Sequence, residues 1–201
     1  MNYLSLIFAV AIALLFHNSA DLQSHKQVDV YPFESDSSIP ELIMGQGQKS
    51  EEQLMAFFME CNPDADENRI NHLAALYIEE CATEGVNSDI AFVQMCLETG
   101  FLRFGGLVTE DMNNFCGLGA VGPEQRGHWF TDMRTGVRAH VQHLKAYGSI
   151  EPLTGELVDP RFHLVNPRGR APGIYNLAGT WAADQQYGDK LAELLEILFD
   201  N

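Results

Sequence analysis

The sequence predicts an α+β domain that is mainly helical, with one small β lobe after a central buried helix. Three observations support this prediction. Apolar residues recur with helical spacing along residues 70–81, and residues 90–99 are apolar nearly all round. Residues 102–131 are rich in glycine and show no helical period. The chain has 201 residues, which is enough for one domain of about 150 residues and an additional segment.

The charge balance limits the kinds of ligand that the protein is expected to bind. The chain carries 12 basic and 28 acidic residues, for a formal net charge of −16. Binding to nucleic acid needs a basic stripe, so no nucleic-acid partner is expected, and docking on an anionic membrane surface is disfavoured for the same reason. A neutral or weakly charged ligand, such as a sugar chain, fits this composition better.

The amino-terminal segment predicts export. Residues 1–20 contain no Asp, Glu, Lys or Arg, and residues 3–16 are almost wholly apolar. That run is shorter than the ~20 residues of a membrane span and matches a secretory signal peptide. Because no Lys or Arg precedes it, an uncleaved anchor or a buried strand is the alternative. We predict a signal peptide over 1–20, a polar arm over 21–42 and a folded domain over 43–201.

Two helices are predicted before the central one. Ser50 is expected to cap the first, with Gln53 as its capping-box partner, and Asn62-Pro63 to end it. The second carries the apolar stripe of residues 70–81, which recurs at i, i+3, i+4, i+7, i+8 and i+11.

The central helix ends with an isolated carboxylate. Ser88 or Asp89 is expected to cap its start and Gly100 its end, so Glu98 lies in the last turn among apolar residues. The helix dipole and desolvation both disfavour the charged carboxylate and raise its pKa. A carboxyl group that stays protonated near neutral pH suits a general acid. The alternative is a Glu that accepts backbone hydrogen bonds or pairs with Arg103.

The remaining chain predicts a hairpin or folded-back loop within residues 102–131, a helix capped by Thr135, a loop-rich stretch over 149–180 and a final amphipathic helix from Tyr187. The four cysteines include no CxxC pair, so a zinc ribbon or thioredoxin-type motif is unsupported. One or two disulfides and plain buried thiols are equally open.

Four sequence blocks occur in a fixed order: LETGF, NNFCGLGA, FTDMRTGVRAHVQHLKAY and GTWAADQQYGDKL. Together they resemble the bacterial cell-wall glucosaminidase domain, the endo-β-N-acetylglucosaminidases of autolysin and flagellar muramidase type in glycoside hydrolase family 73. The resemblance runs from about residue 43 to the C-terminus. It implies a lysozyme-like fold, a groove between a helical lobe and a β lobe, and hydrolysis of the β-1,4 bond after N-acetylglucosamine in peptidoglycan.

The resemblance also implies roles for individual residues. Glu98 matches the catalytic acid, and Tyr187 matches a tyrosine close to it, in a block where Ala183 replaces the usual Thr. The block that contains Gly117 shapes the groove floor. Aromatic faces and polar groups are what a concave sugar site combines, and the predicted substrate-binding residues are Asn114, Phe115, Trp129, Trp181 and Asp184.

A second catalytic group is harder to assign. Two-carboxylate mechanisms need a base or nucleophile besides the acid, and the candidates are Glu124 and Asp132, with Glu110 and Asp111 also considered. If none of them reaches the site, the N-acetyl group of the substrate could act as nucleophile, with Tyr187 orienting it.

Other classes of function fit the sequence less well. His140 and His143 lie i, i+3 on a predicted helix without an evident third ligand, so we expect neither a metal nor a cofactor. The rival enzyme is a lytic transglycosylase or muramidase on the same scaffold, and the rival from another class is a non-catalytic wall-binding module. The mature protein is expected to be a periplasmic or extracellular monomer without a membrane span.

Overall fold

The structure is a computed structural model that describes residues 39–200. In that range the chain forms, in order, α1 Glu51–Cys61, α2 Glu67–Glu84, α3 Ser88–Thr99, β1 Ala120–Gly122, β2 Gln125–Arg126, α4 Met133–Gly148 and α5 Tyr187–Asp200. Short 3-10 turns lie between them, at Glu110–Met112, Phe162–Leu164 and Ile174–Leu177. The predicted mainly helical α+β class, with a small β lobe after the central helix, is confirmed.

The described chain begins with residues that are already tied to the domain. The carbonyl of Glu41 accepts a hydrogen bond from the Ile174 N–H at 2.9 Å. Leu42 forms an isolated β-bridge with Gly173, and Ile43 is fully buried. The predicted signal peptide over 1–20, and the predicted arm up to residue 38, lie outside the described residues.

Helix α3 lies at the centre of the domain. It packs against α1, α2, α4 and α5, and residues 90–96 are buried all round the helix. This burial explains why its sequence lacks a polar face. By contrast, α2 buries one side, which includes most of the predicted stripe along residues 70–81 as well as Leu76, Glu80 and Glu84, and exposes the other.

The helix starts differ from prediction at two points. Asn87 caps α3, because its Oδ1 accepts the N–H groups of Asp89 and Ile90 at 3.0 and 3.2 Å. Asp132 caps α4 in place of Thr135, whose N–H donates to the Asp132 carboxylate at 2.9 Å. Asn and Asp are favoured at both positions because their side chains satisfy N–H groups that the first turn leaves unpaired.

Two buried carboxylates of α2 join this helix to α4. Glu80 accepts hydrogen bonds from Arg134 and Arg138. Glu84 accepts from Lys145 Nζ at 2.9 Å and from backbone N–H groups in the loop after α4, at residues 154–155. Glu84 therefore anchors the start of the loop that later supplies residues to the candidate site.

The β lobe is a two-stranded antiparallel hairpin preceded by a glycine-rich turn. Gly119 is required there for two reasons. Its φ of 77° lies in the left-handed region that favours glycine, and an added Cβ would lie 2.5 Å from Cδ2 of His128.

The four cysteines, Cys61, Cys81, Cys96 and Cys116, are free thiols, and the last three are buried. Plain thiols, one of the two alternatives left open by the sequence, are therefore what the structure contains.

Candidate active site

Glu98 lies in the last turn of α3, where Gly100 ends the helix in the left-handed conformation with φ 59°. Its side chain lines two cavities of about 450 and 260 Å³ that also share Gly117 and Ala120. The first cavity is walled by α4, the end of the glycine-rich turn and Trp181. The second extends towards the loop that follows α3. The predicted position of Glu98 at a helix end therefore places it at a concave surface.

Two aromatic donors converge on one oxygen of Glu98. The Trp181 indole N–H donates to Oε1 at 2.8 Å, and the Tyr187 hydroxyl donates to the same oxygen at 2.5 Å. Oε2 accepts no hydrogen bond from another residue in the range 39–200. The two carboxyl oxygens therefore differ: Oε1 is held by protein donors and Oε2 is left for a group in the cavity.

The environment disfavours the charged form of Glu98. Burial raises the pKa of this carboxyl, and the hydrogen bonds from Tyr187 and Trp181 offset only part of that rise. The pKa of Tyr187 is raised well above its ordinary value, first by burial and then by the neighbouring Glu98 charge. Tyr187 consequently keeps its proton and acts as the donor in this pair.

Behind Tyr187, a buried chain of side-chain hydrogen bonds crosses the core. Gln94 Nε2 donates to the Tyr187 hydroxyl at 3.0 Å, and Gln94 Oε1 lies 3.0 Å from His140 Nε2. His140 Nδ1 lies 2.8 Å from the Tyr77 hydroxyl. Burial, followed by the charge of His143, lowers the pKa of His140 to about 3.

A neutral His140 gives this chain a single direction. Tyr77 donates to Nδ1, Nε2–H donates to the Gln94 carbonyl, and the Gln94 amide donates to Tyr187. The Tyr187 proton is thereby directed to Glu98. Gln94 was not among the site residues predicted from the sequence, although a polar residue one turn before Glu98 in an apolar helix was a signal for it.

The raised pKa of Glu98 predicts a pH-dependent gain in stability for Glu98→Gln. A group whose pKa is higher in the folded than in the unfolded state stabilises the fold while it is protonated, and this contribution is lost as pH rises. Glutamine does not titrate, so the variant does not lose this stability as pH rises. We therefore expect its melting temperature to rise relative to wild type between about pH 4 and the pKa of Glu98, whose unfolded value is ~4.3. A difference that is constant or shrinks over that range would contradict the raised pKa.

The structure separates the predicted substrate-binding residues into two groups. Trp181 and Asn114 line the cavities of Glu98. The Asn114 side chain also holds the glycine-rich turn, by bonds of 2.8 to 3.0 Å to Leu118 N, Leu118 O and His128 O. Phe115 is fully buried in the core. The interpretation of its ring as a sugar platform is therefore not supported.

Trp129 and Asp184 lie outside the residues that line these two cavities. Trp129 is 63% exposed. Asp184 pairs with Lys190 at 2.5 Å and accepts the Gln186 N–H at 2.9 Å, as expected of a residue that organises the start of α5. Both assignments stay predictions that this geometry does not favour.

The candidates for a second carboxylate do not line the cavities either. Asp132 is occupied as the N-cap of α4, and Glu124 is exposed in the hairpin turn. Glu110 pairs with Arg69, and neither Glu110 nor Asp111 lines these cavities. Among the residues that line the two cavities, Glu98 is the sole carboxylate.

Within residues 39–200, no group of three or more His, Cys, Asp or Glu side chains has the geometry to hold a metal ion. The two histidines of α4 have separate partners, because His140 belongs to the buried chain and His143 binds Asp159. None of the helices in this range combines the length and hydropathy of a membrane span.

Comparison with known proteins gives three findings. The sequence matches the model of the family described as mannosyl-glycoprotein endo-β-N-acetylglucosaminidase over residues 74–198. A protein of Borreliella burgdorferi, described as uncharacterized, is 47% identical over 161 residues, which is 80% of this chain and 78% of that protein. The crystal structure of S. aureus autolysin E in complex with the muropeptide NAM-L-Ala-D-iGlu is similar, with a TM-score of 0.51 and 17% identity. This likeness covers 81% of this chain and 74% of the other, and it confirms the lysozyme-like fold.

Proposed function

Because the chain belongs to the mannosyl-glycoprotein endo-β-N-acetylglucosaminidase family and is therefore a glycoside hydrolase, we propose that it hydrolyses peptidoglycan at the β-1,4 bond that follows N-acetylglucosamine. The observation that carries this proposal is the buried carboxyl of Glu98, held at one oxygen by Trp181 and Tyr187 beside an open cavity. The likeness to an autolysin crystallised with a muropeptide supports the choice of substrate.

In this proposal Glu98 is the general acid, and its proton resides on Oε2. Oε1 already accepts two hydrogen bonds, so Oε2 is the oxygen that can donate to a glycosidic oxygen in the cavity. As the proton leaves, negative charge develops on the carboxylate. The donors Trp181 and Tyr187 stabilise that charge more than they stabilise the neutral acid, which lowers the barrier to proton transfer.

The second catalytic group is proposed to come from the substrate. No other carboxylate lines the cavities of Glu98, so the acetamido oxygen of N-acetylglucosamine attacks C1 as the C1–O bond breaks. The leaving oxygen takes the proton from Glu98. Water then opens the cyclic intermediate at C1 and returns a proton to Glu98, which completes the hydrolysis.

Tyr187 takes a different role from orienting the N-acetyl group, the role that the sequence suggested. Its hydroxyl already donates to Glu98 and accepts from Gln94, so it is not placed to orient the N-acetyl group. We propose that it is a positioning residue, which orients the carboxyl of Glu98 and limits the rise of its pKa.

Product analysis tests the cleaved bond. Purified protein is incubated with purified peptidoglycan, and the new ends are identified by mass spectrometry. Reducing N-acetylglucosamine ends would support the proposal. Reducing muramic acid ends would indicate a muramidase, anhydro-muramic ends a lytic transglycosylase, and no new ends a wall-binding module.

Replacing Tyr187 by phenylalanine is expected to lower kcat by about 10-fold or more, since ~1.4 kcal/mol of transition-state stabilisation is worth that factor. The Tyr187 hydrogen bond lowers the pKa of Glu98, so its loss should also move the alkaline limb of the kcat profile to higher pH. Stability should fall by only about 1 kcal/mol, the net value of one hydrogen bond. If kcat and its pH profile were both unchanged, Tyr187 would have only a packing role.

We also propose that the protein acts outside the cytoplasm, because its proposed substrate is the bacterial cell wall. The predicted signal peptide, residues 1–20, would direct this export. Detection of the protein, after fractionation of the native host, in the cytoplasm alone would contradict the proposal.

A further inference from the structure

The larger cavity beside Glu98 contains two basic side chains that the proposed mechanism does not use. His143 of α4 and Arg161 of the following loop line the same cavity of about 450 Å³ as Glu98. The chain has a formal net charge of −16. An arginine and a histidine side by side at a concave surface of such an acidic protein indicate a binding site for an anionic group.

The Arg161 guanidinium makes no hydrogen bond or ion pair with a residue in the range 39–200, and its charge acts on the Tyr147 phenol in the same cavity. Every other arginine side chain in that range donates to a carboxylate or a backbone carbonyl: Arg69, Arg103, Arg126, Arg134, Arg138, Arg168 and Arg170. Planar N–H groups that match a carboxylate in two-point geometry are the ordinary use of such a side chain. Arg161 therefore lines the cavity with its donors available.

One buried carboxylate holds both basic residues in place. Asp159 is 1% exposed. Its Oδ2 binds His143 Nδ1 at 2.8 Å, and its Oδ1 accepts the backbone N–H of Arg161, also at 2.8 Å. The Asp159 N–H in turn donates to the buried Gln142 at 3.1 Å. With Nδ1 engaged, Nε2 is the imidazole nitrogen that remains for a ligand.

Trp181 connects this pair to the catalytic carboxyl. The centroids of the His143 and Trp181 rings lie 5.2 Å apart in an edge-to-face arrangement. The same indole donates its N–H to Glu98. A group bound by His143 and Arg161 would thus be separated from the Glu98 carboxyl by the width of the Trp181 indole. One substrate molecule can span that distance, so the bound group and the cleaved bond can belong to the same molecule.

We propose that Arg161 and His143 form a binding subsite for a carboxylate of the substrate, next to the sugar on which Glu98 acts. This rests on the proposed function and deepens it. Muramic acid offers two sources of such a group: the carboxylates of an attached peptide, or the lactyl carboxylate where no peptide is attached. Either would accept hydrogen bonds from the guanidinium, and also from Nε2–H in the imidazolium form of His143, because Nδ1–H is already donated to Asp159.

Binding of small ligands tests this subsite without requiring catalysis. The probes are N-acetylmuramyl-L-alanyl-D-isoglutamate and its fully amidated form, together with N-acetylmuramic acid and its amide, none of which contains a cleavable β-1,4 bond. Dissociation constants are measured by calorimetry on the full chain. We expect wild type to bind at least one free carboxylate about 10-fold more tightly than the matching amide, a difference of ~1.4 kcal/mol.

Arg161→Gln should remove this preference, and Arg161→Lys should retain part of it. Arg69→Gln, which removes the same charge outside the cavity lining, is the matched control and should behave as wild type. A preference seen with N-acetylmuramic acid identifies the lactyl carboxylate, and one seen only with the dipeptide identifies the peptide. The subsite is overturned if Arg161→Gln keeps the wild-type ratio, or if wild type binds no probe or shows no preference. If wild type shows this preference but does not hydrolyse peptidoglycan, the result counts against the proposed function and not against the subsite.

Discussion

Replacing Glu98 with glutamine is expected to reduce glycan cleavage by about 100- to 10,000-fold, the usual contribution of a general acid, and to leave the fold intact. The amide oxygen of glutamine can accept the hydrogen bonds that Trp181 and Tyr187 now give to Oε1. The amide nitrogen then occupies the place of Oε2, where it cannot supply an acidic proton. Initial rates on purified peptidoglycan and a thermal melt of the same preparation measure the two parts of this prediction.

The matched control is Glu124→Gln, which removes an exposed carboxylate in the hairpin turn. We expect its activity to equal that of wild type, because Glu124 does not line the cavities of Glu98. A Glu98→Gln variant that kept a tenth of wild-type activity would rule out Glu98 as the acid. A large loss of activity in Glu124→Gln would indicate that this carboxylate of the β lobe, and not the N-acetyl group of the substrate, is the second catalytic group.

The features that the sequence predicts well are local ones. The apolar surround of α3, the terminating Gly100 and the position of Glu98 in the last turn all depend on residues within one helix. Helix starts were less certain, because Asn87, Ser88 and Asp89 can each act as a cap. The choice of Asn87 reflects tertiary contacts: Asp89 instead accepts backbone N–H groups some 40 residues earlier in the chain.

Spacing alone could not predict the hydrogen-bond network of Glu98 for a related reason, although the family resemblance placed Tyr187 close to this carboxyl. Gln94 and Tyr187 are 93 residues apart, and Trp181 is 83 residues from Glu98. No spacing rule relates such positions. Phe115 shows a second limit of prediction from sequence. An aromatic residue in a glycine-rich block has the same sequence pattern whether its ring faces a groove or, as here, the core.

Lys145 and Glu84 form the buried ion pair whose disruption should most affect stability. Their side chains are 4% and 1% exposed, and Nζ donates to Oε2 at 2.9 Å. Burial raises the pKa of Glu84, but hydrogen bonds from Thr154, Lys145 and Gly155 outweigh it and hold that pKa below its ordinary value. Glu84 is therefore an anion in the core at neutral pH, and it depends on Lys145 for its counter-charge.

Lys145→Met is expected to lower the free energy of unfolding by about 3–5 kcal/mol at neutral pH, because it leaves a buried charge without its partner. That is a large part of the ~5–15 kcal/mol that stabilises a typical domain.

The double variant Glu84→Gln/Lys145→Met removes both charges and should recover much of the loss. Lys190→Met is the control: its pair with Asp184 is about half exposed, and such pairs contribute ~0–1 kcal/mol. Urea unfolding of wild type, the single variants Glu84→Gln and Lys145→Met and the double variant gives the coupling energy directly, and Lys190→Met is measured beside them. Equal, small losses in both lysine variants would mean that water reaches Glu84, and that the loop leading to Asp159 and Arg161 is not anchored by this charge.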